Sequence, residues 1–170
     1  EGVPSINDFD SATLSDLTLR SSGGSGVGVE FRATIGVRVE RVTFESLDTG
    51  ARYLNRTAGS FTEFTTLHDV WFSWSTVTAV AYAVEAGDPS FHGCGITGQS
   101  IIEQPEAPTR SSITMSAGAC VYNAPLSVGF FVRSSTVPLI RSFSDYEQTF
   151  YGDVRIECFA GAAAGGLLAA

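Results

Sequence analysis

The side chains that could bind a metal or act as nucleophiles are two histidines and three cysteines, and they are widely spaced. His92 and Cys94 are separated by one residue, whereas His68, Cys120 and Cys158 lie elsewhere in the chain. A zinc site usually shows pairs of ligands at a short repeated spacing such as Cys-x-x-Cys, and the sequence has no such pair. We therefore predict no metal site and no cofactor.

Catalytic motifs are also missing from the sequence. His68 and Asp69 are neighbours, and in an extended segment their side chains would point to opposite faces. No serine lies in a Gly-x-Ser-x-Gly elbow, and the glycines of residues 93–98 lack the strand and helix that frame a phosphate-binding loop. All ten basic residues are arginine, which excludes lysine chemistry. We predict no catalytic residues and a protein that is not an enzyme.

Three weaker signals have a structural interpretation beside the functional one. Glu103 and Glu106 resemble a pair of glycosidase carboxylates, but the loop around Pro105 predicts two solvated, mutually repelling charges. Trp71 and Trp74 could stack on sugars, but on one strand they would project to opposite faces, which favours the core or an interface. The Asn-Arg-Thr sequence at residues 55–57 is a formal glycosylation sequon.

The cysteines do not form the pattern of a disulfide-rich domain. Cys94, Cys120 and Cys158 are odd in number and far apart. Either one pair is bridged and the third is free, or all three are buried thiols. The apolar strand patterns around Cys120 and Cys158 favour buried thiols.

Hydrophobic alternation predicts an all-β chain, and no apolar stripe with a period of 3.6 residues reaches the length of a helix. The parity of the alternation changes near Glu40 and Arg41, which predicts a β-bulge. Residues 46–69 and 91–110 read as loops. Strands are predicted at residues 29–45, 70–74, 77–85, 112–115, 119–122, 126–133, 137–143 and 153–159.

Short strands separated by turn signals are typical of a two-sheet antiparallel sandwich, and the pattern leaves immunoglobulin-like and jelly-roll connectivity open. Three regions are expected. Residues 1–28 are an acidic arm with a Gly/Ser linker, residues 29–159 are the β-sandwich domain, and residues 160–170 are an uncharged tail. The tail is too short to span a bilayer, so we expect no membrane partner.

The net charge of −8, without any basic tract, argues against strong intrinsic binding of nucleic acid. Residues 1–16 carry four carboxylates and no basic side chain, as expected for a solvated arm or for one that docks on a basic neighbour.

Two sequence stretches resemble the coat proteins of small icosahedral RNA viruses of the tymovirus and picorna-like groups. Residues 151–157 (Tyr-Gly-Asp-Val-Arg-Ile-Glu) resemble the closing strand of a jelly-roll coat domain. Residues 70–74 (Val-Trp-Phe-Ser-Trp) resemble the aromatic start of its second main strand. The layout of arm, single β domain and tail is also similar, although the arm is acidic where many such coats are basic.

The resemblance implies that the two-sheet antiparallel sandwich has jelly-roll topology. It also implies a structural subunit that assembles with copies of itself, and possibly with other coat subunits, into a virion shell. Low charge density and apolar termini are consistent with a surface covered by neighbours. Two alternatives remain at this point: a subunit of an extracellular filament or pilus, and a secreted β-sandwich that binds carbohydrate or protein at the cell surface.

Overall fold

The computed structural model describes residues 5–7, 11–133, 136–158 and 168–169. In chain order the strands are β1 (Ser5–Asn7), β2 (Thr13–Arg20), β3 (Val27–Arg32), β4 (Arg38–Glu45), β5 (Thr49–Asn55), β6 (Thr66–His68), β7 (Trp71–Phe72), β8 (Thr78–Val84), β9 (Ser90–His92), β10 (Gly95–Glu103), β11 (Ile113–Met115), β12 (Cys120–Tyr122), β13 (Ala124–Val132), β14 (Ile140–Ser142), β15 (Phe150–Tyr151), β16 (Val154–Cys158) and β17 (Leu168–Ala169). The described residues contain no helix long and apolar enough to cross a membrane.

The strands wind into a β-solenoid, in which each coil lies on the one before it. Sheet I has the order β1-β3-β5-β8-β11-β14-β17, and sheet II runs from β2 through β4, β6 or β7, β10 and β13 to β16, with β15 also paired to β13. β9 and β12 form a short third side, which we call the narrow face. All the strand pairings between described residues are parallel, as stacked coils require.

Stacking aligns apolar side chains into columns that fill the interior. In sheet I one column joins Val29, Ala51, Val80, Ile113 and Ile140, each paired with the next. All five side chains are almost completely buried. Each coil thus covers the apolar residues of the previous one, and their removal from water stabilises the stack.

Aromatic side chains form two further stacks in the core. The ring of Tyr53 lies between those of Phe31 and Tyr82, with centroid distances of 4.9 Å on each side. Phe44 stacks on Phe72 at 4.6 Å. The Tyr53 hydroxyl donates to the Thr65 carbonyl at 3.1 Å, so this buried polar group is satisfied. Burial raises the pKa of the Tyr53 and Tyr82 hydroxyls well above the ordinary value.

The bends of the coil use residues with positive φ, and these residues also stack. At the corner before sheet II they are Ser11, Gly36, Phe64, Gly93 and Asn123. The second column lies within sheet II and comprises Asp16, Arg41, Asp69 and Gly98. Positive φ is unfavourable for most side chains, but stacked bends keep the neighbouring strands in register.

The predicted irregularity near Glu40 and Arg41 is found at Arg41, which has φ 52°. Asp16 on the adjacent strand has φ 58°. The residue pairs on both sides, Ser15 with Glu40 and Leu17 with Val42, remain in register. Both strands therefore bend together, so the feature is a shared bend and not a bulge in one strand.

The prediction of a two-sheet antiparallel sandwich with jelly-roll topology is wrong, because the pairings are parallel and the sheets form a solenoid. Alternation shows which side chains face inward, but it does not give the direction of the partner strand. The jelly roll was also the basis of the resemblance to coat proteins, so the capsid and virion assignments have no support in this fold.

Two regions predicted as loops contain strands. Residues 46–69 include β5 and β6, and residues 91–110 include most of β9 and all of β10. Their composition was misleading because the interior of these coils also holds polar side chains, such as the buried Thr49, Asn55 and Ser100. Within the predicted arm, residues 13–20 form β2 of sheet II. Most of the predicted tail and the acidic residues Glu1, Asp8 and Asp10 lie outside the described residues.

Close approach of neighbouring coils makes a specific glycine essential. A Cβ added at Gly95 would overlap the carbonyl oxygen of Pro125 on the next strand. We expect Gly95→Ala to lower the free energy of unfolding by about 1–3 kcal/mol or more, because backbone and not a flexible side chain must move. Urea denaturation measures the change. In the control Gly23→Ala, the new Cβ would lie 3.7 Å from Ser25 Oγ, and equal midpoints for the two variants would contradict the stacking.

Candidate functional site

The outer face of sheet II has two halves with different chemistry, and the half formed by β2 and β4 is self-neutralised. Arg41 donates to both carboxylate oxygens of Asp16, at 2.6 and 2.8 Å, and to Glu40 at 2.7 Å. Arg20 forms an ion pair with Glu45. The hydrogen bonds from Arg41 lower the pKa of Asp16 to about 2. These charges engage one another, and this half offers little to a ligand.

The other half has a glycine at the centre of its outward-facing positions. Across the strands, Gly129 of β13 pairs with Ile101 of β10 on one side and with Arg155 of β16 on the other. Along β13 its outward neighbours are Ser127 and Phe131, about 7 Å away in each direction. A Cβ at position 129 would meet only one backbone oxygen, at 3.9 Å. The missing side chain leaves a pit, which we call the Gly129 pit.

The Gly129 pit is part of a groove of about 610 Å³. Its lining combines amide, hydroxyl, carboxylate, guanidinium and aromatic groups. The lining residues are Gly98, Gln99, Ser100, Ile101, Ser127, Val128, Gly129, Phe130, Phe131, Asp153, Arg155 and Glu157.

The charged side chains of the groove are exposed and unengaged. Within the part of the chain that the structure describes, no side-chain hydrogen bond or ion pair involves Asp153, Arg155 or Glu157. Glu103 pairs with Phe131 in the row that also contains Glu157. Asp153 and Glu157 flank Arg155 along the chain and Glu103 lies two strands away, so the local charge is acidic. Asp153, Arg155 and Glu157 can bind hydroxyl groups without first breaking protein contacts.

Two exposed tryptophans lie beside the groove. Trp71 is 47% exposed and pairs with Ile101 across β7 and β10, while Trp74 is 56% exposed. The Trp74 backbone N–H donates to Glu103 Oε2 at 3.1 Å, which places this tryptophan beside the row of carboxylates. Core placement is wrong for both tryptophans because they are exposed, and placement in an interface stays a prediction. The two residues do not share a strand, since β7 ends at Phe72 and Trp74 lies in the following turn.

A polar cluster on the same outer face joins His68, Asp69 and Thr97. His68 Nδ1 lies 2.9 Å from Thr97 Oγ1, and His68 Nε2 lies 3.2 Å from Asp69 Oδ2. The prediction that His68 and Asp69 point apart is wrong. Asp69 has φ 51°, and this bend turns its carboxylate back towards the imidazole.

His92, considered as a metal ligand, belongs to an aromatic stack on the narrow face. Its ring lies parallel to that of Tyr122 with centroids 4.5 Å apart, and Phe64 tilts against it at 4.8 Å. Among the described residues there is no group of three His, Cys, Asp or Glu side chains that could hold a metal ion.

The three cysteines differ in environment and are free thiols. Cys94 is buried, and desolvation raises its pKa to about 12. Cys120 is partly buried, and its pKa is also raised by desolvation. Cys158 is exposed, so the prediction of burial is wrong there. Its strand is on the side of β13 away from β10, where the described coils leave it uncovered.

The structure gives none of the remaining sequence signals, which are the sequon, the Glu103 and Glu106 pair and the glycines of residues 93–98, the arrangement that its function would need. Asn55 is fully buried, and its amide donates to the carbonyls of Asp88 and Ser90, so the folded chain does not present this sequon. Glu106 lies in the loop after β10 while Glu103 ends the strand. The glycines of residues 93–98 form a corner and part of β10, with no helix after them.

Sequence reasoning missed Gly129 and Arg155. Gly129 interrupts the regular alternation of residues 126–133, and a glycine inside a strand is a known mark of close approach by another group. That signal could have identified the position. Arg155 could not have been found in the same way, because its position beside Gly129 depends on the pairing of β13 with β16.

We compared the chain with models of known protein families, with curated protein sequences and with solved structures, and found no match.

The cysteine environments predict an order of reactivity towards a thiol reagent at neutral pH. Cys158 should react first and Cys120 more slowly, while Cys94 should react only after unfolding, because the thiolate is the reactive form and burial disfavours it. Mass spectrometry of peptides after timed alkylation measures the order. Modification of Cys94 in the folded protein at the rate of Cys158 would contradict the buried position.

Proposed function

We propose that the chain binds a neutral oligosaccharide on the outer face of sheet II, with one sugar ring in the Gly129 pit. The observation that carries this proposal is the empty glycine position, bordered by unengaged polar groups. A pyranose ring presents hydroxyls at its edge and C–H groups on its faces. The pit offers carboxylates and a guanidinium for the first and apolar side chains for the second.

The charge of the groove favours neutral over anionic ligands. Asp153, Glu157 and Glu103 outnumber Arg155, so a uronic acid or a phosphate would meet net repulsion. Carboxylates accept hydrogen bonds from sugar hydroxyls, and the arginine fork can bridge two adjacent hydroxyls. These preferences separate a neutral glycan from nucleic acid and from acidic polysaccharides.

The length of the face suits an extended chain of sugars. Trp71 lies one strand from Ile101, and Ile101 lies one strand from Gly129. Neighbouring strands are about 4.8 Å apart, so the exposed indole is about 10 Å from the pit. A second sugar ring could pack on Trp71 while the first occupies the pit.

Filling the pit tests this proposal. We expect Gly129→Leu to weaken glycan binding at least about tenfold, a loss of 1.4 kcal/mol or more, because the new side chain occupies the space of the ring. Its stability should change little, since position 129 has open space above it. A glycan array identifies the ligand, and isothermal titration measures the affinity.

The control is Thr114→Leu, which places the same leucine side chain on the outer face of sheet I. It should bind as the unchanged chain does. Two results would overturn the proposal: binding by Gly129→Leu equal to that of the unchanged chain, or an array on which only anionic glycans bind.

Self-association remains a second candidate, and the exposure of β16 favours it. Val154 and Ile156 face the core side, yet they are 37% and 44% exposed. The edge of β16 away from β13 has no partner strand among the described residues. An edge with free backbone groups and apolar side chains is a site for pairing with another chain, as in a filament subunit.

Sedimentation velocity over a range of concentrations tests this candidate. We expect larger species to appear with concentration and to disappear in Ile156→Asp, because a charge on this edge opposes pairing. The outward-facing change Glu157→Gln is the control. A single monomeric species at the highest concentration would remove the candidate.

A further inference from the structure

Thr97, His68 and Asp69 meet the geometric requirements of a nucleophile, a base and an orienting group. The Thr97 hydroxyl is 2.9 Å from His68 Nδ1, and the other ring nitrogen is 3.2 Å from the Asp69 carboxylate. Such an arrangement is recognised by geometry and roles and not by order in the sequence. It lies on the outer face of sheet II, outside the set of residues that line the pit.

The backbone of two adjacent coils is shaped around this cluster. Asp69 has φ 51°, and its second carboxylate oxygen accepts the Gln99 backbone N–H at 2.7 Å. Gly98 has φ 72°, and a Cβ there would collide with the Asp69 carboxylate and lie 2.9 Å from the His68 ring. The carboxylate is therefore held on both sides, and only glycine at position 98 leaves it room.

The contacts of the imidazole define which nitrogen acts as the base. In neutral His68 the carboxylate favours the tautomer with its proton on Nε2, because a carboxylate only accepts hydrogen bonds. Nδ1 then has a free lone pair directed at the Thr97 hydroxyl. The hydroxyl has a second acceptor in the Leu67 carbonyl, but at the longer distance of 3.3 Å. The proton of Thr97 thus lies beside a base that is already oriented.

The cluster is accessible to a substrate. The His68 side chain is 28% exposed and the Asp69 side chain 41%. Gly98 and Gln99, which follow Thr97 directly, line the groove that contains the Gly129 pit. A group attached to a glycan in the groove could therefore reach Thr97.

We propose that Thr97 is the nucleophile of an esterase site that removes acyl groups from a hydroxyl of the bound glycan. Thr97 Oγ1 attacks the ester carbonyl carbon while its proton passes to His68 Nδ1. The C–O bond to the sugar then breaks, and the departing oxygen takes that proton. Water next attacks the acyl-threonine with His68 again as base, which releases the carboxylic acid and restores the hydroxyl. Asp69 is a positioning residue that holds the imidazole.

The glycan part of this substrate rests on the proposed function, but the hydrolysis does not. An activated aryl ester such as p-nitrophenyl acetate needs only the cluster, whereas an O-acetylated neutral oligosaccharide also needs the groove. Cleavage of the aryl ester without cleavage of the acetylated oligosaccharide would support the esterase site and overturn the glycan as its substrate. Binding of neutral glycans without cleavage of either ester would support the proposed function and overturn the esterase site.

The experiment measures p-nitrophenyl acetate hydrolysis by the full chain and its variants. We expect Thr97→Val and His68→Gln to lower the rate at least about 100-fold, the contribution of a general base, and Thr97→Ser to keep most of it. Asp69→Asn should lower kcat and leave KM unchanged. Rapid acid quenching should trap an acetyl group on the peptide that contains Thr97.

Thr114→Val, a change of the same kind on the outer face of sheet I, is the control and should hydrolyse the ester at the unchanged rate. Circular dichroism checks that every variant is folded. The proposal is overturned if the unchanged chain does not accelerate hydrolysis above buffer, if Thr97→Val is as fast as the unchanged chain, or if the trapped acetyl group lies elsewhere.

Discussion

Parallel hydrogen bonding between successive coils is the constraint on which the rest of this structure depends. It places each residue about 4.8 Å above its counterpart in the previous coil. An inward position must therefore pack against its neighbours above and below, as the apolar Val29, Ala51 and Val80 do. The same constraint applies to the bends. One strand cannot turn alone without losing its pairing, which explains why Asp16 and Arg41 share a positive φ.

The outward positions are aligned by the same pairing but are not required to pack. The outward side chains can therefore differ in charge and size from coil to coil, as the ion pairs around Arg41 and the pit at Gly129 show. The fold supplies a flat, rigid surface with fixed spacing, and the chemistry comes from local departures within it. The two candidate sites on this face are such departures: a missing side chain at Gly129, and a carboxylate turned back at Asp69.

Alternation in the sequence was sufficient to predict an all-β chain and the irregularity at Arg41, since both depend on local parity. It was not sufficient for topology. A coil is 22 residues long between Val29 and Ala51 but 33 between Val80 and Ile113, so no constant repeat marks the solenoid. The cluster at His68 was missed for a related reason. Its geometry depends on the left-handed residues Asp69 and Gly98, which lie in segments predicted as loops, and alternation does not predict such bends.

The unequal coil lengths have a consequence for how such a protein can evolve. The long coil between Val80 and Ile113 includes residues 104–112, which follow β10 directly, and the Gln104 N–H donates to the Phe131 carbonyl beside the pit. Insertions in this segment would lengthen a corner of the coil without changing the register of any strand pair. The border of the groove could thus be remodelled by selection for a new ligand while the scaffold stays constant, which separates the mutations that change specificity from those that threaten folding.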